Sequence, residues 1–290
     1  MFFYEFFLDP FLSFEFMRRS LIACLALSLG CGPVGTLLVL RRMSLIGDAL
    51  SHAVLPGAAI GFMIAGLSLV SMSIGGFIAG ILVALLSGFI SRVTKQREDA
   101  SFAAFYLISL SIGVLIISMF GSNVDIMHVL FGTILAIDNE SLFLVVSITT
   151  LTLLTFAIVG RGLVVESFDP GFLKVVNGPS ATLHLIFLTL VVLNLVAGFQ
   201  ALGTLMAVGL MMLPAVAARF WAQDLLKLSI LSIFFACISG YSGLLISYYS
   251  DLPSGPTIIL VAGFIYLISV FFGFKDSLIT KYISRPHLEN

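Results

Sequence analysis

The stretch RRMSLIGDALSHAVLPG at residues 41–57 carries two ionisable side chains, Asp48 and His52, into an apolar run. They stand four residues apart, so on a helix they share one face, one turn from each other. Lipid solvates an ionisable side chain poorly, and a carboxylate and an imidazole on a membrane helix therefore indicate a functional site. Pro56 follows His52 by four residues and has no N–H to give to the His52 carbonyl. The stretch predicts a helix face that offers a carboxylate, an imidazole and a carbonyl oxygen to a divalent metal ion. The alternative, that these residues only cap or pack the helix, stays open at this point.

The composition is typical of a protein embedded in a membrane. Of the 290 residues, 60% are hydrophobic and 10% are charged, and the mean hydropathy is +1.17. Soluble domains carry about 25% charged residues, and no stretch of this chain is long and polar enough to form one. A formal net charge of −1 gives no indication of nucleic-acid binding. We therefore expect a single transmembrane domain over residues 1–290, with its helical bundle over residues 17–280.

Apolar runs of about 20 residues, the length that crosses a bilayer, predict an all-α polytopic membrane protein with about nine transmembrane helices. The runs cover residues 20–40, 45–67, 71–91, 100–120, 142–159, 181–198, 201–218, 226–248 and 256–272. A short apolar piece within residues 121–140 predicts a re-entrant or interfacial segment. Cys24, Cys31 and Cys237 fall inside the runs, where we interpret them as small apolar side chains.

The basic residues predict the orientation of the chain. Of the 14 lysines and arginines, only Arg18 and Arg19 fall on one side of the predicted membrane. Because cytoplasmic loops carry an excess of basic residues, we expect the C-terminus in the cytoplasm and the N-terminus outside. Arg18 and Arg19 then either hold the N-terminal segment on anionic headgroups or indicate a miscounted early span. The outer loops carry Asp125, His128, Asp138, Glu140 and Asp251. Such an acidic mouth would concentrate cations, although topology alone also excludes basic residues there.

Small residues recur along the second predicted span. Ala53, Gly57, Gly61 and Ala65 follow each other at intervals of four, a pattern typical of close helix contact in lipid. The stripe lies beside the face of Asp48 and His52. We therefore expect this helix in the centre of the bundle, with its polar face toward a cavity.

The loop at residues 166–179 is the best candidate for contact with a partner. Asp169 is a good N-cap, and the proline that follows it suits the first position of a helix. The pattern predicts a short helix on the cytoplasmic surface, with Phe168, Phe172 and Leu173 as apolar anchors. A plain interfacial connector is the alternative. His184, at the start of the sixth span, is expected to be buried and hydrogen-bonded rather than a ligand.

Two catalytic motifs are absent from the sequence. No lysine completes a G-x-x-x-x-G-K-[ST] phosphate loop, and there is no H-E-x-x-H helix. We therefore expect that this chain does not hydrolyse ATP itself and is not a zinc protease of that type, and no catalytic residue is predicted.

Six stretches together resemble one family, the metal-ion ABC transporter permeases, which move manganese, zinc or iron. They are RRMSLIGDALSHAVLPG (41–57), REDASF (97–102), VLFGTILAI (129–137), FDPGF (168–172), GFQALGTLMAVGLMMLPAVAAR (198–219) and SYYSDLPSGPTIIL (247–260). The resemblance covers nearly the whole chain. It implies a fold similar to that of the cobalamin and siderophore importer permeases, in a bacterial cytoplasmic membrane.

The resemblance also implies partners and residue roles. The permease would be a homodimer with two cytoplasmic ATP-binding subunits and an extracytoplasmic metal-binding receptor. Asp48 and His52 match the metal-path pair of the family, and the transported Mn, Fe or Zn ion would be the only metal, with no cofactor in this chain. The spelling DALSHAVLPG is more similar to the manganese and iron branch than to the zinc branch. The residues that would contact the ATP-binding subunit are Glu166, Phe168, Asp169, Pro170, Phe172 and Leu173.

Three alternatives remain at this stage. A zinc importer permease would differ only in its cargo. A proton-coupled secondary carrier would also place Asp and His in the membrane but would need no ATP-binding subunit. An intramembrane metalloenzyme would need a third fixed ligand and a general base, and the sequence has no such cluster.

Overall fold

The structure, a computed structural model of the chain, describes residues 6–66, 68–94, 97–120, 137–275 and 277–283. These residues form twelve helices and no strand. In chain order the helices are Asp9–Ser13 (α1), Glu15–Leu40 (α2), Ser44–Ala65 (α3), Leu69–Val93 (α4), Glu98–Phe120 (α5), Asn139–Phe168 (α6), Pro170–Val175 (α7), Ser180–Leu202 (α8), Thr204–Ala218 (α9), Leu225–Ser250 (α10), Ser254–Phe272 (α11) and Leu278–Ile283 (α12). The expected all-α class is confirmed. The predicted re-entrant piece lies within residues 121–140, most of which fall outside the described residues.

Eight helices of the described chain, rather than the expected nine, are long and apolar enough to cross a membrane: α2 to α6, α8, α10 and α11. The seventh predicted span is the exception. Its helix, α9, has 15 residues and covers about 22 Å at 1.5 Å per residue. Gly203 separates α8 from α9 with a φ of 90°, a conformation that glycine adopts at little cost. Gly198 packs directly against Ala207, so the two helices fold back on each other as a hairpin.

The first span begins earlier than the apolar run suggests. α2 starts at Glu15, so Arg18 and Arg19 lie in its first two turns, and Arg19 forms an ion pair with Glu15. Within the described residues no other helix of spanning length precedes α2. Among the described residues there is thus no additional early span to account for the two arginines.

α2 and α8 form the centre of the bundle and are held by polar contacts as well as apolar ones. Asn194 of α8 is fully buried and donates from Nδ2 to Thr152 Oγ1 of α6 at 2.9 Å. Thr149 of α6 donates to the Ala26 carbonyl of α2 at 3.0 Å. Such interhelical hydrogen bonds give three helices a fixed register where lipid supplies no hydrophobic driving force between them.

The small-residue stripe of α3 makes a close helix contact, as predicted, and its partner is α4. A Cβ atom at Gly57 would overlap the Gly75 carbonyl, and one at Gly61 would overlap the Ser71 carbonyl. Ser71 Oγ also donates to the Gly61 carbonyl at 2.9 Å. α3 and α4 are therefore a closely paired unit, which leaves the other faces of α3 for α5, α8 and α9.

The turns collect at two ends of the bundle. At one end, which we call the arginine end, Arg41 contacts Ser167 and His184, and Arg42 borders the same pocket as Arg219. At the opposite end, Tyr241 and Tyr249 donate their hydroxyls to the carbonyls of Phe7 and Phe6 at 2.8 and 2.9 Å. Of the described arginines, Arg41, Arg42 and Arg219 therefore lie at the arginine end, whereas Arg18 and Arg19 lie near the start of α2 at the opposite end, in agreement with the charge pattern of the sequence.

Candidate metal site and coupling segment

Asp48 and His52 lie one turn apart on α3, as their spacing predicts. Asp48 Oδ1 is 3.8 Å from His52 Nε2, which is too long for a hydrogen bond. The Asp48 side chain is 62% exposed in the single chain and that of His52 is 34% exposed. The two side chains therefore share one face without being bonded to each other.

The His52 imidazole has an unused nitrogen. Its Nδ1 atom is buried and has no hydrogen-bond partner among the described residues. Buried polar atoms are nearly always hydrogen-bonded, so this one needs an explanation. A neutral imidazole nitrogen is a good ligand for iron or zinc, and the Asp48 carboxylate, which lies 3.8 Å from the other ring nitrogen, Nε2, adds an oxygen donor that suits manganese.

Pro56 lies inside α3, and the helix continues through it. Because proline has no N–H, the His52 carbonyl lacks its usual helical donor. The next carbonyl, of Ala53, accepts a hydrogen bond from Ser109 Oγ of α5 at 3.3 Å. α3 thus presents an oxygen free of intrahelical bonding directly beside the imidazole.

One face of α5 covers this part of α3. Tyr106 lies against His52 with ring centroids 6.1 Å apart, and a Cβ on Gly113 would press on Pro56. Sequence reasoning missed Tyr106, because nothing local to residues 97–120 indicates which helix face meets His52. The tyrosine ring fixes one side of the imidazole and leaves the side of Asp48 open.

A single chain supplies an incomplete metal site. Among the described residues, no group of three His, Cys, Asp or Glu side chains is close enough to hold a metal ion. Asp125 and His128, which were expected near the outer mouth, lie outside the described residues. Asp138 is described, and it caps α6 by accepting from the Ser141 N–H at 2.8 Å. Hydrogen bonding with Ser141 lowers the pKa of the Asp138 carboxyl, which keeps this residue anionic.

The predicted short helix at residues 166–179 is present as α7. Asp169 Oδ1 accepts from the Phe172 N–H at 2.8 Å, and the chain leaves the helix through a hydrogen bond from the Gly178 N–H to the Leu173 carbonyl. Phe168 and Phe172 are exposed, at 65% and 54%, whereas Leu173 packs against the core. We call residues 168–175 the coupling segment. Two of its three expected anchors therefore face outward, where a partner could bury them.

Glu166 occupies a different place from the other residues predicted to contact a partner. Its side chain is buried beneath the coupling segment and forms an ion pair with Arg41. Asp169 and Pro170, in contrast, are exposed on the segment itself. His184 is half-buried, and both of its ring nitrogens contact polar groups, as the prediction of a hydrogen-bonded histidine requires.

Comparison with known proteins gives a consistent result. A family model described as ABC 3 transport family matches residues 13–273. The manganese transport system membrane protein MntC of Halalkalibacterium halodurans is 32% identical over 278 residues, which is 96% of this chain and 94% of the relative. A probable iron transport system membrane protein of Haemophilus influenzae is 29% identical over 283 residues, which is 98% of each chain.

Solved structures show the same fold. A chain of PsaBC from Streptococcus pneumoniae, determined in complex with Fab, superposes with a TM-score of 0.84 at 31% identity and covers 95% of this chain and 98% of that chain. A metal-chelate type ABC transporter in an inward-facing conformation superposes with a TM-score of 0.66 at 15% identity, over 87% of this chain and 85% of that chain. The second likeness concerns the fold alone.

Proposed function

Because the chain belongs to the ABC 3 transport family, we propose that it is the membrane-spanning permease subunit of an ATP-driven importer for manganese or a chemically similar divalent ion. ATP hydrolysis belongs to a separate ATP-binding subunit. The observation that carries the proposal of a metal cargo is the placement of Asp48 and His52 on one face of α3, together with a buried His52 Nδ1 that has no hydrogen-bond partner among the described residues.

The donor set suits a transported transition metal. Carboxylate and carbonyl oxygens suit manganese, and imidazole suits iron and zinc. The relatives named for manganese and iron support the first two metals over zinc.

A second copy of the chain completes the site in this proposal. An exposed carboxylate on a spanning helix is costly in lipid, and the 62% exposure of Asp48 in the single chain therefore favours a covering partner. A two-fold axis repeats each residue on both sides of an interface. Two carboxylates and two imidazoles would then surround the ion, and water or the His52 carbonyls would fill the remaining positions.

The coupling segment would dock on the ATP-binding subunit. Its exposed Phe168 and Phe172 offer apolar area to a groove, and Leu173 anchors the segment to the bundle. The arginine end would then face the cytoplasm, in agreement with the positive-inside rule. A metal-binding receptor would deliver the ion to the opposite end, where Asp138 is anionic.

Transport by the assembled complex tests this function. The permease is purified with its ATP-binding subunit, reconstituted in liposomes and supplied with its receptor and radioactive manganese. We expect uptake that requires ATP, and competition by Fe²⁺ but not by Mg²⁺, because Mg²⁺ dehydrates reluctantly. Uptake that proceeds without ATP and stops when a proton ionophore is added would identify a secondary carrier instead. Uptake of zinc in preference to manganese would identify a zinc importer.

A further inference from the structure

Four ionisable side chains meet inside the arginine end, away from the metal site. They come from four helices or their ends: Arg41 after α2, Glu98 at the start of α5, Glu166 near the end of α6 and His184 in α8. Arg41 and Glu166 are 6% and 7% exposed and form an ion pair. We call this group the charged joint.

The Arg41 side chain contacts several different groups. Its Nε donates to Ser167 Oγ at 2.8 Å, and its Nη1 contacts His184 Nδ1 at 3.1 Å. Its guanidinium carbon lies 4.1 Å from the centre of the Phe187 ring. A guanidinium that forms this many directional contacts cannot change rotamer without breaking several at once. The side chain is therefore a rigid link rather than a mobile charge.

The contacts also assign the His184 tautomer. Arginine can only donate, so His184 Nδ1 is the acceptor and the proton resides on Nε2. Nε2 then donates to Glu98 Oε1, which is 3.0 Å away. His184 thus extends the joint from Arg41 to Glu98, the first residue of α5.

The joint connects the coupling segment to both helices that form the metal site. Glu166 is three residues before Asp169, at the base of the coupling segment. Arg41 begins the short turn that leads into α3, which carries Asp48 and His52. Glu98 begins α5, and two turns later Tyr106 lies against His52. The contacts therefore form a continuous path from the segment to α3 through Arg41, and to α5 through His184 and Glu98.

Burial of the pair argues for a role other than holding the fold together. Well-packed apolar residues often replace a buried ion pair with no loss of stability, whereas removal of one partner leaves a costly buried charge. An apolar pair at these two positions would lack the directional hydrogen bonds that the ion pair makes. We propose that Arg41 and Glu166 are positioning residues that transmit movement of the coupling segment to α3 and α5, an inference that rests on the proposed function.

A double substitution tests the joint without leaving a buried charge. Arg41→Met with Glu166→Leu removes both charges and keeps apolar volume. In the reconstituted complex we expect normal assembly and retained Mn²⁺ binding and ATP hydrolysis, but metal transported per ATP lowered about tenfold or more, within the range of typical coupling energies. Arg19→Met with Glu15→Leu, the same changes at the ion pair of the opposite end, should leave the ratio unchanged.

Three other outcomes would contradict the proposal that Arg41 and Glu166 transmit movement. A double variant that assembles and transports the wild-type amount of metal per ATP would overturn the proposal while the proposed function stands. Loss of the double variant from the membrane would overturn it too, because the pair would then hold the fold. A wild-type complex that hydrolyses ATP but takes up no manganese would overturn the proposed function and the joint together.

Discussion

Replacing Asp48 by asparagine or His52 by alanine tests the metal site one ligand at a time. Asparagine keeps the shape of the side chain but donates a neutral oxygen, and alanine removes the imidazole. Because changes even to residues that support a metal ligand cost about 10-fold to 100-fold in affinity or activity, we expect each variant to lower manganese uptake at least tenfold. Uptake is normalised to the amount of protein in the membrane, which separates lost transport from lost folding.

The matched control is Asp224→Asn, the same chemical change at an exposed carboxylate of the arginine end. A hydrogen bond with Lys227 lowers the pKa of Asp224, so this variant also removes a carboxylate that is ionised at neutral pH. It should transport normally. Wild-type rates per molecule in both metal-site variants would show that Asp48 and His52 only cap or pack α3.

Sequence reasoning succeeded at the residue scale where the signal was local. Asp48, His52 and Pro56 stand on one stretch, and helical spacing alone brings them together. Arg41 and its neighbour Arg42 look identical in the sequence, yet one is buried with Glu166 and the other is exposed. Only the packing of α6 against the end of α2 separates them, and a single sequence has no signal for that contact.

The exposed face of the coupling segment gives a prediction at the scale of the element. Phe172→Asp should leave the permease folded, because this side chain is 54% exposed. It should weaken co-purification with the ATP-binding subunit roughly tenfold to a hundredfold, since burying a phenylalanine contributes about 1.5–3 kcal/mol. Leu226→Asp places the same charge at another exposed apolar position of the arginine end and serves as the control. A Phe172→Asp permease that co-purifies and transports normally would exclude the segment as the docking site.

The boundaries of the elements were predicted less well than their type. Hydropathy marks residues 201–218 as one apolar run, but the helix break depends on the backbone of Gly203, which the run does not reveal. Likewise α2 extends back through Arg18 and Arg19, and α6 runs on past Arg161 to Phe168. Charged residues near the interface do not end a helix, since they can reach toward water while the backbone continues.

Labelling the two ends of the bundle tests the orientation of the whole molecule. In a background with Cys24, Cys31 and Cys237 replaced by alanine, a cysteine is introduced at Leu252 or at Leu226, both of which are exposed. We expect a membrane-impermeant maleimide to label Leu252→Cys in intact cells, and Leu226→Cys only after the membrane is opened. The reverse pattern would show that the chain has the opposite orientation in the membrane, with the coupling segment outside the cell.

The short helix α9 has a consequence for how the chain inserts into the membrane. It covers about 22 Å, roughly 8 Å less than the hydrocarbon layer of a bilayer, and the residues at its two ends, Gly203 and Ala218, are buried within the protein. Met212 of α9 lies against Gly47, next to Asp48. A helix this short does not cross the hydrocarbon layer by itself, so we expect α9 to enter the membrane together with the longer helices that bury its ends. Its contact with α3 beside Asp48 would then form only in the assembled bundle.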